Sequence, residues 1–152
     1  MKSFKEEIKS DRFENEQQML VLDIFFTADW LEQKLLKVLN KYKLTHAQFN
    51  MMMMLRLSFG KPLSVNEIKE RILFKRTDVS RMIDRLVEKE YLIRELCTDN
   101  RRKVDVSISK KGVKLLKKIT PEIHDEFEHF FEKKITKEEA LNAVKTIDKM
   151  RT

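Results

Sequence analysis

Between Ser64 and Gly112 the chain reads as two short capped helices followed by two strands joined through a run of cations, and few folds accommodate that order. Ser64 and Glu67 form a capping box: the hydroxyl accepts from the Glu67 amide, and the Glu67 carboxylate reaches back to the Ser64 amide. A helix therefore starts at Ser64, with Ile68 and Ile72 as its narrow apolar stripe, and Leu73 to Arg76 make a turn. A second helix is expected from Thr77, with Thr77 as N-cap and Asp78 in the first turn, where a carboxylate suits the positive end of the helix dipole. At about 100° per residue, Val79, Met82, Ile83 and Leu86 share one face, and Thr77, Arg81, Asp84 and Glu88 the opposite one, with Ser80 at its edge. Asp78 and Asp84 sit three residues either side of Arg81 and are placed to orient its guanidinium.

After Glu90 the period changes to two. Tyr91 to Cys97 form one strand, and Val104 to Ile108 form a cleaner alternating one. Between them lie Thr98, Asp99, Asn100, Arg101, Arg102 and Lys103. Three adjacent cations at a hairpin tip repel one another, so they do little for folding and suit a partner dense in negative charge, such as phosphates. Two helices and a basic hairpin make a winged helix-turn-helix. In such a unit the free side of the second helix enters the DNA major groove, which makes Arg76, Thr77, Ser80, Arg81 and Arg85 the candidate DNA contacts.

The run from Thr77 to Lys89, followed by Tyr91 to Ile93, Asn100 to Arg102, Val104 to Ser109 and Gly112, resembles the core of the MarR family of bacterial transcription regulators. The resemblance implies that the helix carrying Ser80 and Arg81 reads the major groove, while the wing residues Arg101, Arg102 and Lys103 contact DNA, the two arginines at the minor groove. It also implies a small-molecule effector pocket between the long first helix and the winged helix, with Trp30 and His46 as lining. On the residues alone, a Trp in an apolar helix stripe is core. Two positions depart from the family pattern. Glu90 stands where family members usually have Gly, so a left-handed cap there costs about 1 kcal/mol. Asn100 stands where they usually have Asp.

Charge is segregated along the chain. Residues 56–118 carry 18 Lys and Arg against 9 Asp and Glu, residues 1–55 carry 8 against 8, and residues 119–152 carry 6 against 8. The whole excess of the net +7 therefore falls on the winged segment, the electrostatic footprint expected of a DNA-binding surface. Two glycines exclude most phosphate-cradling loops, and no nucleophile elbow or paired metal motif is present, so the reading is not an enzyme and calls for no cofactor. One cysteine, no secretory pattern and no run of about 20 apolar residues point to a cytoplasmic protein without a membrane partner.

Outside the winged segment the pattern is helical. Met19, Leu22, Phe26, Trp30, Leu35, Leu36 and Leu39 recur every three or four residues over about Glu14 to Tyr42, while residues 1–13 show no periodicity. Leu20, Val21, Ile24, Phe25 and Leu31 add apolar surface on further faces, more than one small core needs, so this helix is expected to pair with a second copy. Thr45 and Gln48 make another capping box, and Met51 to Met54 point round all sides of that helix as core filler. Ser109 is expected to cap a long helix containing Pro121, and Thr136 with Glu139 opens a last one.

Two further chemistries fit the residues less well. His124 and His129 are five residues apart, about 140° round a helix, so they do not form one metal face with Glu128. Cys97, beside the wing, reads as a small residue rather than an oxidant sensor, although Arg94 and Arg101 would favour its thiolate.

The expected architecture is therefore mainly α with a small β-hairpin wing, built from about six helices. It comprises an N-terminal pairing helix (1–44), a winged helix-turn-helix (45–112) and C-terminal pairing helices (113–152). The expected function is a homodimeric regulator, a repressor, on a pseudo-palindromic double-stranded operator. The alternative is a winged-helix protein-interaction module whose basic tip binds an acidic partner.

Overall fold

The computed structural model describes residues 2–58, 60–96, 104–127 and 131–151. Among these, the chain forms α1 (Phe4–Ile8), α2 (Glu16–Leu39) running into a 3₁₀ turn (Asn40–Tyr42), α3 (His46–Leu57), β1 (Leu63–Ser64), α4 (Val65–Arg71), α5 (Val79–Glu88), β2 (Leu92–Leu96), β3 (Val104–Ile108), α6 (Lys110–Glu126) and α7 (Lys137–Lys149). The three expected capping boxes form: Thr45 with Gln48 at α3, Ser64 with Glu67 at α4, and Thr136 with Glu139 at α7. Ser109 caps α6 by accepting from the Gly112 amide at 2.9 Å, and α6 continues through Pro121.

Two elements exceed the expectation. The first thirteen residues contain α1, set by a Ser3–Glu6 capping box and by the Phe4 ring against Phe13 and Phe26. The wing is a three-stranded antiparallel sheet in the order β1-β3-β2, because Leu63 and Ser64 pair with Val106 and Asp105. A two-residue strand has no alternation to read.

One core joins these pieces. It takes Leu35, Val38 and Leu39 from the C-terminal half of α2, Met51, Met52 and Leu55 from α3, Ile68 and Ile72, the inner face of α5, Val106, and Leu116 and Ile119 from α6. Met53 and Met54 pack against its edge, so the methionine run is core material, as its spacing implied. Burying each large aliphatic side chain contributes about 1.5–3 kcal/mol. The N-terminal half of α2 stays outside this core, and α7 buries no residue at all.

Candidate nucleic-acid interface

The geometry of α5 follows from its sequence period. Val79, Met82, Ile83 and Leu86 are buried, while Ser80, Arg81 and Arg85 are exposed on the opposite side, with Arg76 exposed in the turn before the helix and Thr77 half-buried. That turn is held from both sides. The Lys75 ammonium donates to the Glu70 carbonyl at the end of α4, and the Leu73 amide donates to the Asn50 side chain at 3.2 Å. The helix begins one residue later than expected, since Asp78, not Thr77, is the N-cap and accepts from the Arg81 amide at 3.1 Å. A carboxylate is the stronger acceptor for a helix N-terminus, and Thr77 is already placed in the turn by its amide bond to the Phe74 carbonyl.

Neither acid braces the Arg81 guanidinium. Asp78 caps the helix, and Asp84 accepts from Arg94 on β2 at 2.7 Å, an ion pair that ties α5 to the wing. This pair also draws one carboxylate of the outer face toward a cation, reducing its repulsion of an approaching phosphate. Arg94 was invisible as a partner because it lies ten residues further on, in a different element.

At its other end α5 stops in a left-handed residue. Glu90 has φ 60°, and the Glu90 and Tyr91 amides donate to the Val87 and Leu86 carbonyls, the paired bonds of a Schellman motif. The geometry that favours Gly is thus kept without one. The Glu90 carboxylate pairs with Lys111 at 2.5 Å, and that hydrogen bond holds it below the usual carboxylate range. The Glu90 carbonyl accepts from the Ser109 hydroxyl at 2.7 Å, joining the end of α5 to the start of α6.

The wing strands pair from Leu92–Ile108 to Leu96–Val104. Arg101, Arg102 and Lys103, with Cys97, fall outside the described residues, as do Glu128 and His129. Trp30 and His46 do not come together. The Trp30 ring meets Phe131 edge-on, whereas His46 pairs with Glu32 at 2.5 Å and stands edge-on to Phe74. Glu32 is two residues from Trp30, about 200° round α2, so the two candidates lie on opposite sides of that helix. A cleft of about 230 Å³ instead opens beside α5, between the first turn of α3 (Thr45, Ala47, Gln48) and Arg81 and Arg85. Among the described residues no cluster of three or more potential metal ligands occurs, and no helix is long and apolar enough to cross a membrane.

Residues 42–103 match the MarR family model. Both the segment and the fold are of MarR type. A MarR transcription factor from Planctomyces limnophilus is 23% identical with a TM-score of 0.67, covering 92% of this chain and 98% of its own. Sco3205, a MarR family regulator from Streptomyces coelicolor solved in complex with DNA, is 19% identical with a TM-score of 0.78, covering 93% and 90%. The organohalide-sensing regulator RdhR-CbdbA1625, solved in its 2,4-dichlorophenol-bound form, is 20% identical with a TM-score of 0.77, covering 90% and 80%. No curated protein matches the chain significantly in sequence. These MarR-type structures share the mostly helical winged-helix architecture, with its small antiparallel sheet.

Proposed function

We propose that this chain is a sequence-specific DNA-binding transcription regulator of MarR type, acting as a homodimer on a pseudo-palindromic operator. The observation that carries the reading is α5. Its four apolar residues are buried in the core, and Ser80, Arg81 and Arg85 stand free on the outer face, within the segment that holds the whole excess of positive charge. Arg81 and Arg85 have the planar donor geometry that reads guanine edges and clamps phosphates, and Arg101, Arg102 and Lys103 extend the same charge to the wing. Two such units, paired through residues 1–44 and 113–152, would engage half-sites about 34 Å apart, and a protein lying across a promoter in this way excludes polymerase. Repression is the mode we propose. The dichlorophenol-bound relative supports ligand responsiveness as a further property of the reading, but Trp30 and His46 face opposite sides of α2, so we do not place an effector between them.

The test is a titration of the purified protein with its own upstream promoter fragment and with random DNA at one salt concentration. The expected preference is on the order of a thousandfold or more. Arg81→Ala relaxes base preference at one position per half-site, whereas Arg102→Ala weakens all sequences and flattens the salt dependence. A preference near one would instead favour a winged-helix module that binds an acidic protein.

A further inference from the structure

The cleft beside α5 is formed by two helix starts. Its far wall is the first turn of α3, a twelve-residue helix capped by Thr45, and its near wall is the first two turns of α5, with Arg81 and Arg85. Gln48, in the far wall, is only 7% exposed. Its side-chain oxygen accepts from the Thr45 amide at 3.1 Å, while the amino end of the same carboxamide donates to no group among the described residues. The His46 and Ala47 amides, the first two of α3, likewise donate to no described group. Gln48, whose amino end is therefore reached by solvent rather than sealed in the core, lines one small space together with Ala47 at the positive end of a helix and with Arg81 and Arg85. The chemistry they match is an anion with several acceptor oxygens.

We infer that this cleft seats one phosphate of the DNA backbone, with Gln48 and the α3 amino terminus as anchor and Arg85 closing from the recognition helix. The inference rests on the DNA-binding reading above and adds to it a contact from α3, outside the α4–α5 pair. Asp78, the acidic residue lining the cleft, has an oxygen committed to the Arg81 amide, so part of its charge is balanced at the start of α5. A phosphate held between α3 and α5 fixes the angle at which the recognition helix enters the groove. The contact therefore sets register without reading a base.

The deciding variant is Gln48→Glu. Glutamate keeps the oxygen that caps Thr45, so the thermal midpoint stays that of the wild type, but it removes the donor and puts a negative charge where the phosphate would sit. Asn66→Asp, exposed on α4 and outside the lining of the cleft, is the charge-matched control. Operator duplexes carrying a single neutral methylphosphonate at each position in turn supply the second axis. Wild type and Asn66→Asp are expected to lose affinity at one shared position per half-site, while Gln48→Glu binds the unmodified operator about tenfold more weakly and regains affinity when that position is neutralised. Equal affinity and equal methylphosphonate profiles for Gln48→Glu and wild type, in a protein that still prefers its operator, overturn the anchor and leave the DNA-binding reading standing. A wild type with no preference between operator and random DNA overturns both.

Discussion

Glu90 and Gly112 show how single positions set the joint between the recognition helix and α6. Glu90 holds φ at 60° with a Cβ present, a conformation that costs about 1 kcal/mol relative to Gly. Glu90→Gly removes that strain, and although it gives up the exposed pair with Lys111, it is expected to raise the thermal midpoint by about 2–4 °C, read by circular dichroism. Glu90→Ala keeps the strain, loses the pair and lowers the midpoint, so opposite signs for Gly and Ala are the signature of a left-handed cap. Gly112 is held for a different reason. A Cβ there would stand 2.3 Å from the Tyr91 carbonyl oxygen and 2.8 Å from the Ile108 side chain. Backbone cannot swing aside as a side chain can, so Gly112→Ala must separate α6 from the corner after α5, at a cost of about 1–3 kcal/mol. Its thermal midpoint should fall by several degrees, and an unchanged midpoint would mean that the corner adjusts freely.

At the level of elements, α2 and the 3₁₀ turn that follows it are laced to α6 by a polar seam. Lys41 donates to Glu122 at 2.8 Å, the Tyr42 hydroxyl donates to the other Glu122 oxygen, and Lys34 donates to Glu126 at 2.9 Å. The hydrogen bonds from Lys41 and Tyr42 hold the Glu122 carboxyl below its ordinary range, and Lys34 does the same to Glu126. A carboxylate with a depressed folded-state pKa contributes stability that is complete above its unfolded pKa and vanishes as pH falls through the folded one. Glu122→Gln should therefore be less stable than wild type at pH 7, and the gap should close on acidification below the ordinary carboxylate range. Denaturant midpoints taken across pH would show it, and a gap that does not change with pH would remove Glu122 from the seam. This seam could not be read from the sequence, because Lys41 and Glu122 are 81 residues apart. The same limit hid the Asp84–Arg94 pair, whereas signals local to one turn were legible. The capping boxes at Thr45, Ser64 and Thr136 and the buried stripe of α5 depend only on neighbours, so they could be placed, while the choice between Thr77 and Asp78 as cap turned on how the preceding turn was already bonded. Gln48 was legible as a cap for the same local reason, and its place beside Arg85 was not, since α3 and α5 meet only in the folded chain.

On the scale of the molecule, the apolar surface is unevenly finished. The winged segment closes over a continuous core and exposes Leu57, Leu73, Ile93 and Leu96, while Leu22, Phe25 and Trp30 on α2, together with Leu141 and Val144 on α7 and Met150 at its cap, also stay open to water, Phe25 at 69%. The residues of α2 and α7 lie at the two ends of the chain, where the charge is balanced or slightly negative, and so away from the surface that would repel a second basic copy. Apolar faces of this extent are uncommon on a lone soluble chain, which is why the proposed dimer is built from them. Pairing also governs DNA affinity, because once one unit has bound its half-site the second is presented to the other at an effective concentration in the millimolar range. Replacing Phe25 and Val144 with Ser removes apolar area without touching the core, so far-UV circular dichroism should stay that of the wild type. Light scattering should then show monomers at micromolar concentration, and affinity for the full operator should drop about a hundredfold, to that for a single half-site. A Phe25→Ser, Val144→Ser protein that remains dimeric and grips the full operator as before would locate the pairing surface elsewhere, while α5 and the cleft beside it would keep their roles within each half-site.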